Sequence, residues 1–128
     1  MRTLDRAGLR ESVRRELEQL FNTRCPIPSH RLPVGGRTVI DYGIPDFGTF
    51  SARNFNDHSR LADELRRAVE AYEPRLANVR VHVEPRTGDD MALTASIEAV
   101  MLTEDVPEAV LFVTMLQLKD GKAEVGHG

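Results

Sequence analysis

The apolar positions between residues 57 and 75 follow the period of an amphipathic helix. Four of them recur at spacings of four, four and three, namely Leu61, Leu65, Val69 and Tyr72. These spacings place the four side chains on one face of a helix with about 3.6 residues per turn. Asp57 or Ser59 can cap the first turn with a side-chain oxygen. Pro74 lacks an N–H and disfavours helical backbone in the residue before it, so we expect the helix to end near Glu73.

A second helical stripe lies earlier in the chain, from about residue 8 to residue 22. Its apolar members are Leu9, Val13, Leu17, Leu20 and Phe21. The other face carries two i,i+4 charge pairs, Glu11 with Arg15 and Arg14 with Glu18, each worth roughly a few tenths of a kcal/mol. We therefore expect this charged face to be exposed to solvent.

After Pro74 the apolar period changes from about 3.6 to 2, the period of a strand with one buried face. Three strands are predicted, near residues 78–84, 91–102 and 109–119. The connections between them are short, so neighbouring strands should be antiparallel. The sequence therefore predicts an α+β fold, in which an N-terminal helix and a second amphipathic helix pack on a small, mostly antiparallel sheet. Residues 121–128 are expected to form a frayed tail.

The third predicted strand is apolar on both faces. One face carries Val110, Phe112, Leu116 and Leu118, and the other carries Leu111, Val113 and Met115. Such a strand is either central in the sheet or covered by something outside the chain. We expect it to be covered in an assembly, by a strand added to its edge or by a partner packed on its second apolar face. The alternative is a central strand whose other face is buried by a second helix layer.

Residues 23–56 connect the two helices and are rich in Pro, Gly, Ser and Asn. A connection of this length is too long for a simple linker in a compact domain, so we expect it to be functional or held by contacts. A short strand is predicted at residues 38–40. In the turn that follows, Gly43 can adopt a positive φ. In the simpler interpretation, this turn only fills the core with three side chains, Tyr42, Ile44 and Phe47.

Composition and length are those of an ordinary globular protein. The chain has 128 residues, of which 41% are hydrophobic and 29% are charged, and this size suits a single domain over residues 1–128 with one core. No apolar run approaches the roughly 20 residues of a membrane helix. The N-terminus lacks the apolar segment of a secretory signal. We therefore expect a cytoplasmic protein without membrane insertion.

The charges are unevenly distributed along the chain. Residues 1–40 carry eight Arg against four acids, a net charge of +4, whereas residues 98–128 carry two Lys against six acids, a net charge of −4. Such a dipole suits head-to-tail contacts with other proteins better than nucleic-acid binding, which needs a concentrated basic face. The single cysteine, Cys25, cannot form an internal disulfide, and the four histidines are scattered. No metal site and no other cofactor are therefore expected.

Three stretches of the chain resemble a known family. They are residues 12–24 (SVRRELEQLFNTR), residues 42–46 (YGIPD) and residues 72–76 (YEPRL). In order and spacing they resemble the baseplate wedge subunits of bacterial type VI secretion systems, the TssE family, which belongs to a contractile-phage baseplate family often labelled lysozyme-like. The resemblance covers roughly residues 8–120. Phe21 departs from the pattern, which has Leu there, and this exchange is a tolerable apolar one.

The resemblance implies an α+β fold, no enzymatic cycle, and a place in the baseplate where the contractile sheath begins. It also implies baseplate wedge proteins and contractile sheath proteins as partners, with Glu73-Pro74-Arg75 contacting the neighbouring wedge subunits. The candidate partner-binding residues are Glu73, Pro74, Arg75, Arg24, Tyr42, Asp46, Leu111, Val113 and Met115. No catalytic residue is assigned. Because Arg75 is expected at an exposed helix end, Arg75→Ala should leave the fold intact and weaken baseplate assembly.

The same residues allow other interpretations. Arg75 can simply neutralise the negative end of its helix, worth under about 1 kcal/mol at an exposed site, and Arg24 can be a helix cap or a partner contact. A soluble regulatory adaptor with one partner is a second possible function, and a peptidoglycan hydrolase is a third. A glycosidase needs two carboxylates about 5 to 9.5 Å apart in a cleft. The absence of Trp and an aromatic content of 5% leave few platforms for sugar rings.

Overall fold

The computed structural model describes residues 6–25, 42–47, 50–51, 53–88 and 91–128. The elements in these residues are α1 (Arg6–Phe21), α2 (Phe55–Tyr72), β1 (Leu76–Pro85), β2 (Ala92–Met101), β3 (Glu108–Gln117) and β4 (Ala123–His127). The strands form one antiparallel sheet in the order β1-β2-β3-β4. The predicted α+β fold, with two helices and an antiparallel sheet, is confirmed.

Both helices lie on one face of the sheet, and the core lies between the helices and the strands. α2 packs on β1, and α1 packs on β4. Leu17 from α1 and Leu65 from α2 are fully buried in the same core as Ile97 and Phe112 of the central strands. Each such side chain stabilises the fold by about 1.5–3 kcal/mol when it leaves water. The apolar stripes read from the sequence are therefore the faces that form the core.

The cap of α2 is Asn54. Its side-chain oxygen accepts hydrogen bonds from the backbone N–H groups of Asn56 at 2.9 Å and Asp57 at 3.4 Å. The prediction of Asp57 or Ser59 as the cap is wrong, because the helix already begins at Phe55 and Asp57 lies within its first turn. Asn is as good a cap as Asp or Ser, so the sequence offered several candidates and only the packing selects one.

Residues 121–128 do not form a frayed tail, and that prediction is wrong. A turn at Gly121, with φ +71°, reverses the chain, and β4 then pairs with β3 from Ala123 to His127. Ala123 and Val125 are only 6% and 3% exposed. Two alternating apolar positions are too few to predict a strand, so this strand depends on the pairing and burial that β3 and α1 provide.

β3 lies between β2 and β4. The prediction that a partner strand adds to the edge of this strand is therefore wrong, since residues 112–116 are paired on both sides. The alternative was a central strand whose other face is buried by a second helix layer. No such layer is found among the described residues, because α1 and α2 lie on the same face of the sheet. Leu111 is 39% exposed, and Val113 and Met115 are partly exposed. The second apolar face of β3 is thus open in the described part of the chain.

The segment at residues 42–47 packs beside the C-terminal end of α1. Ile44 donates its backbone N–H to the carbonyl of Thr23 at 2.9 Å and accepts the N–H of Cys25 at 2.9 Å. Ile44 and Phe47 are 0% and 1% exposed. The interpretation that this turn fills the core is confirmed for these two side chains, whereas Tyr42 is only partly buried. The strand predicted at residues 38–40 lies outside the described residues.

The outer edge of β4 is covered by polar side chains from α1 and from the residue that follows it. The Asn22 side chain donates to the carbonyl of Ala123 at 2.8 Å and accepts the N–H of Ala123 at 2.8 Å. Arg14 donates from Nη1 to the carbonyl of Val125 at 2.9 Å. The N–H of Val125 donates to Oε1 of Glu18 at 3.4 Å. These side chains take the place of a neighbouring strand, because they satisfy main-chain groups that point away from β3.

The expectation that the charged face of α1 is solvated holds for Arg15 and Gln19, which are exposed, but is wrong for Arg14. Arg14 pairs with Glu11 at 2.8 Å and with Glu18 at 3.1 Å, while Nε2 of His127 lies 3.1 Å from Oε2 of Glu11. The hydrogen bonds from Arg14 and His127 lower the pKa of Glu11 to about 2. An unpaired strand edge is a template for pairing with another chain. These contacts close that edge in β4.

Part of the charge asymmetry of the sequence is neutralised within the chain. Nη2 of Arg10 lies 2.6 Å from Oε1 of Glu108, at the start of β3. Together with the contacts of Arg14, this ion pair places the basic N-terminal helix against the acidic C-terminal strands. Head-to-tail contacts with other proteins therefore have less free charge to use than the sequence indicates.

Gly43→Ala should destabilise the fold. An added Cβ would lie 2.6 Å from the carbonyl oxygen of Thr23, and φ at this glycine is +118°. Backbone strain alone costs about 1–3 kcal/mol, and the clash adds to it. Thermal unfolding followed by circular dichroism should show a clear fall in Tm.

Gly88→Ala is the matched control for this variant. Its φ is +82°, but a Cβ there meets nothing within 4 Å. The Tm of Gly88→Ala should fall less than that of Gly43→Ala, because only the backbone strain destabilises it and no clash is added. Equal losses for the two variants would contradict the close packing of Gly43 on the end of α1.

Candidate functional site

The Glu73-Pro74-Arg75 motif contains an ion pair between a buried Glu73 and a partly buried Arg75. Nε of Arg75 donates to Oε1 of Glu73 at 2.8 Å, and Nη2 donates to Oε2 at 3.2 Å. The backbone N–H of Arg75 also lies 3.3 Å from Oε1. Glu73 is only 2% exposed. Two parallel bonds between a guanidinium and a carboxylate are the strongest form of this pairing, so the geometry of the helix end is well defined.

Arg75 also connects this helix end to α1 and to the sheet. Its Nη2 lies 2.6 Å from Oε2 of Glu16, and its Nη1 donates to Oγ of Ser12 at 3.1 Å. Its carbonyl accepts the N–H of Leu102, after β2, at 2.8 Å. The expectation that Glu73 and Arg75 project from an exposed helix end is therefore wrong. The turn after α2 directs Arg75 back onto Glu73 and α1.

Two carboxylates share one guanidinium in this cluster. The hydrogen bond between Glu16 and Glu73 raises the pKa of Glu16, and partial burial adds to this effect, whereas Arg75 opposes it. The hydrogen bond to Glu73 also raises the pKa of Arg75, which therefore stays charged. Above the raised pKa of Glu16 the cluster has two negative charges against one positive charge. This excess of negative charge suits contact with a cationic group.

A cleft of about 280 Å³ opens beside the cluster, and we call it the acidic cleft. Glu16, Tyr42, Tyr72 and Glu73 line it. The two tyrosine rings meet edge to face, with centroids 5.0 Å apart at an angle of 75°. Burial raises the pKa of Tyr42, and the nearby carboxylates add to this effect. Aromatic faces beside carboxylates are the groups that bind a guanidinium or ammonium side chain.

Arg24 and Asp46 are not among the residues that line this cleft. Nη1 of Arg24 donates to the carbonyl of Phe21 at 2.6 Å, and its Nη2 contacts the carbonyl of Gly121. The guanidinium also lies 4.7 Å from the centroid of the Phe47 ring. Burial lowers the pKa of Arg24, although Asp46 opposes the shift. These contacts match the helix-cap interpretation, because Arg24 binds the last carbonyl of α1.

The apolar row of β3 lies on the sheet face opposite the helices. It consists of Leu111, Val113 and Met115. On β2 the row is flanked by Glu98, Ser96 and Thr94. On β4 it is flanked by Glu124 and Gly126. The row is therefore one strand wide, which is narrower than the contiguous apolar patches that mark large interfaces.

The outer edge of β1 was not predicted from the sequence as a binding surface. Arg86 donates its backbone N–H to the carbonyl of Ala92 at 3.1 Å. This bond shows which residues of β1 form hydrogen bonds with β2, because such residues alternate along an antiparallel strand. The even-numbered positions of residues 80–84 turn their main-chain groups toward β2, so those of Val81 and Val83 point away. In the described part of the chain nothing pairs with them. The alternation within a strand indicates its buried face but not whether it is outermost in the sheet.

The described residues contain neither a metal-binding group nor a membrane-spanning helix. No three His, Cys, Asp or Glu side chains in these ranges are placed to hold a metal ion. Neither α1 nor α2 combines the length and the apolar character that crossing a bilayer requires.

Comparison with solved structures finds a similar fold. A chain of the structure described as "The baseplate complex from the type VI secretion system" superposes with a TM-score of 0.62 at 19% sequence identity. The match covers 87% of this chain and 96% of that chain. At this identity the likeness shows a shared fold. Comparison with curated protein sequences gives no match.

The sequence matches a family model over most of its length. The model of the family described as "Baseplate wedge protein gp25" matches residues 7–106. This span includes all but the first residue of α1, together with α2, β1 and β2, and therefore also the acidic cleft and the open edge of β1. On this match the chain belongs to the baseplate wedge protein gp25 family.

Proposed function

We propose that this chain is a structural baseplate subunit of a contractile type VI secretion system, located in the cytoplasm, and that it links the wedge subunits to the start of the sheath. Membership of the baseplate wedge family supports the baseplate role. The fold shared with a chain of a type VI secretion baseplate complex supports this kind of machine. The partners are then the other baseplate wedge proteins and the contractile sheath proteins.

The observation that carries the sheath link is the contrast between the two edges of the sheet. The edge of β4 is closed by Arg14 and Asn22, whereas the main-chain groups of Val81 and Val83 in β1 have no partner among the described residues. A partner strand can therefore join at β1. In strand addition, main-chain hydrogen bonds supply the affinity and alternating side chains set the register. In this proposal the edge of β1 replaces β3 as the acceptor of a sheath strand.

The acidic cleft is the proposed contact for a neighbouring wedge subunit. The side chain of Glu16 is 55% exposed, so a Lys or Arg side chain that enters beside Tyr42 can reach it. Glu73 and Arg75 are held by each other, with side chains 3% and 27% exposed. Their role is to position Glu16 and the end of α2. The remaining proposed partner-binding residues are Pro74, Arg24, Asp46, Leu111, Val113 and Met115.

The carboxylates of the acidic cleft also have to be considered as a hydrolytic pair. Glu16 and Glu73 line one cleft, and the pKa of Glu16 is raised. Both carboxylates, however, contact the same Nη2 of Arg75, at 2.6 and 3.2 Å. The guanidinium therefore lies where a glycosidase places a sugar or a water between its carboxylates. Glu73 is also occupied by Arg75. A turbidity assay on peptidoglycan should therefore show no clearing by the purified protein.

A soluble adaptor with one partner needs only one binding surface. This protein presents two surfaces of different chemistry, the acidic cleft and the open edge of β1. Two such surfaces favour a subunit that connects neighbours in an assembly.

Val81→Pro should weaken the sheath link without unfolding the protein. The N–H of Val81 points away from β2, so proline removes a donor that the fold does not use, and edge strands tolerate such a proline. Co-sedimentation with polymerised sheath protein measures the link. Binding should fall about tenfold, which corresponds to the roughly 1–1.5 kcal/mol of one lost hydrogen bond.

Val81→Thr is the matched control, because threonine keeps both the shape and the N–H of valine. It should sediment with sheath as the wild-type protein does. Circular dichroism has to show that both variants are folded. Equal binding by the two variants would contradict strand addition at β1 and would leave the family membership untouched.

Glu16→Gln and Arg75→Ala should separate partner binding from fold stability. Because the pKa of Glu16 is raised in the fold, the stability it contributes is present below its ordinary value and is lost as the pH rises through the raised pKa. At pH 7 Glu16→Gln should therefore keep or raise Tm while pull-down of a wedge partner weakens. Arg75→Ala leaves Glu73 buried and unpaired, so it should cost up to about 3 kcal/mol of stability as well.

The contacts of Arg75 thus replace the expectation that Arg75→Ala leaves the fold intact. Glu70→Gln is the control for Glu16→Gln, since Glu70 is an exposed acid on α2 that does not line the acidic cleft. It should leave the pull-down unchanged. Unaltered partner binding by Glu16→Gln, or an unaltered Tm for Arg75→Ala, would refute the roles assigned to these residues.

A further inference from the structure

The open edge of β1 has a self-complementary sequence. It reads Arg80-Val81-His82-Val83-Glu84, with a base and an acid placed symmetrically about His82. When two copies of this edge run antiparallel with the two His82 residues opposite each other, Arg80 of each copy faces Glu84 of the other. Opposite charges directly across a strand pair stabilise the pairing.

In this alignment the residues whose main-chain groups point outward lie opposite each other, as hydrogen bonding requires. Val81 and Val83 turn their N–H and C=O groups outward, and in the alignment about His82 each valine lies opposite the other valine of the second copy. Directly opposed residues that both face the gap exchange two hydrogen bonds. Other registers that also pair the outward-pointing residues place Arg80 or Glu84 opposite the same residue of the second copy, or opposite its His82. Only the alignment about His82 pairs both Arg80 and Glu84 with a side chain of opposite charge.

Both faces of the edge are compatible with a second copy. On the side away from the helices, Arg80, His82 and Glu84 are all exposed. On the helix side, a groove of about 310 Å³ lies between α2 and residues 81–83. Phe55 lines this groove and is 75% exposed. Pairing of two edges brings the two grooves together, so that this large apolar side chain leaves water.

We propose that two copies of this chain pair through their β1 edges, antiparallel about His82, so that two four-stranded sheets become one continuous sheet. The pairing covers an edge that otherwise recruits other strands. The contact is small, so the dimer forms reversibly and depends on protein concentration. This inference rests on the edge geometry and goes beyond the proposed function. If a sheath strand uses the same edge, it competes with the dimer.

Charge-reversal variants test the dimer, and analytical ultracentrifugation over a concentration series measures its dissociation constant. Glu84→Arg places Arg opposite Arg80 at both symmetric positions, and Arg80→Glu places Glu opposite Glu84. Each variant alone should raise the dimer dissociation constant about tenfold or more. An equimolar mixture of the two should recover dimers, because every cross-strand pair is then of opposite charge. A folding defect cannot produce this recovery.

Glu124→Arg is the control, because it makes the same charge change at an exposed position of β4. It should dimerise as the wild-type chain does. Arg80 also lies opposite Glu98 within the chain, so the Tm of Arg80→Glu is recorded beside its dissociation constant. A wild-type chain that stays monomeric at every concentration, or a mixture that does not recover dimers, overturns the inference. Either result leaves the sheath link standing, since Val81→Pro and Val81→Thr test that link with sheath protein.

Discussion

The main-chain groups at the two edges of the sheet are the constraint on which this structure depends. An edge strand exposes N–H and C=O groups that bind water or another strand. At β4 these groups are satisfied from within, because Asn22 binds both main-chain groups of Ala123 and Arg14 binds Val125. At β1 no described residue pairs with the groups of Val81 and Val83. A sheet with one closed and one open edge can be extended in only one direction.

Helix α1 connects this constraint to the acidic cleft. One of its faces carries Arg14 toward β4, and another carries Ser12 and Glu16 toward Arg75. The ion pair of Glu73 with Arg75 then joins α1 to the end of α2. Because α2 packs on β1, the cleft and the open edge belong to one continuous set of contacts. Two proposed binding surfaces in a constant relative orientation suit a subunit between two neighbours.

Most of the fold could be predicted from the sequence, because the helices and three strands have long apolar periods. β4 was missed, since Ala123 and Val125 are too few to show a period. The polar stripe of α1 was expected to be solvated, because the main-chain groups that it binds belong to that unpredicted strand. The motif around Glu73 was located by resemblance. Its burial could not be predicted, because periodicity does not show where a turn directs Arg75. Sheet edges could not be read either, since strand order is a property of the tertiary structure.

Amide hydrogen exchange of the dilute, isolated protein tests the contrast between the two edges most directly. The account predicts alternation along β1: the amides of Val81 and Val83 exchange rapidly, whereas that of His82 is protected by its bond to β2. In β4, the amide of Ala123 should be protected because Asn22 accepts its hydrogen bond. Adding sheath protein should protect Val81 and Val83 without changing Ala123. Protection of Val81 and Val83 in the dilute isolated chain, or rapid exchange at Ala123, would contradict the account.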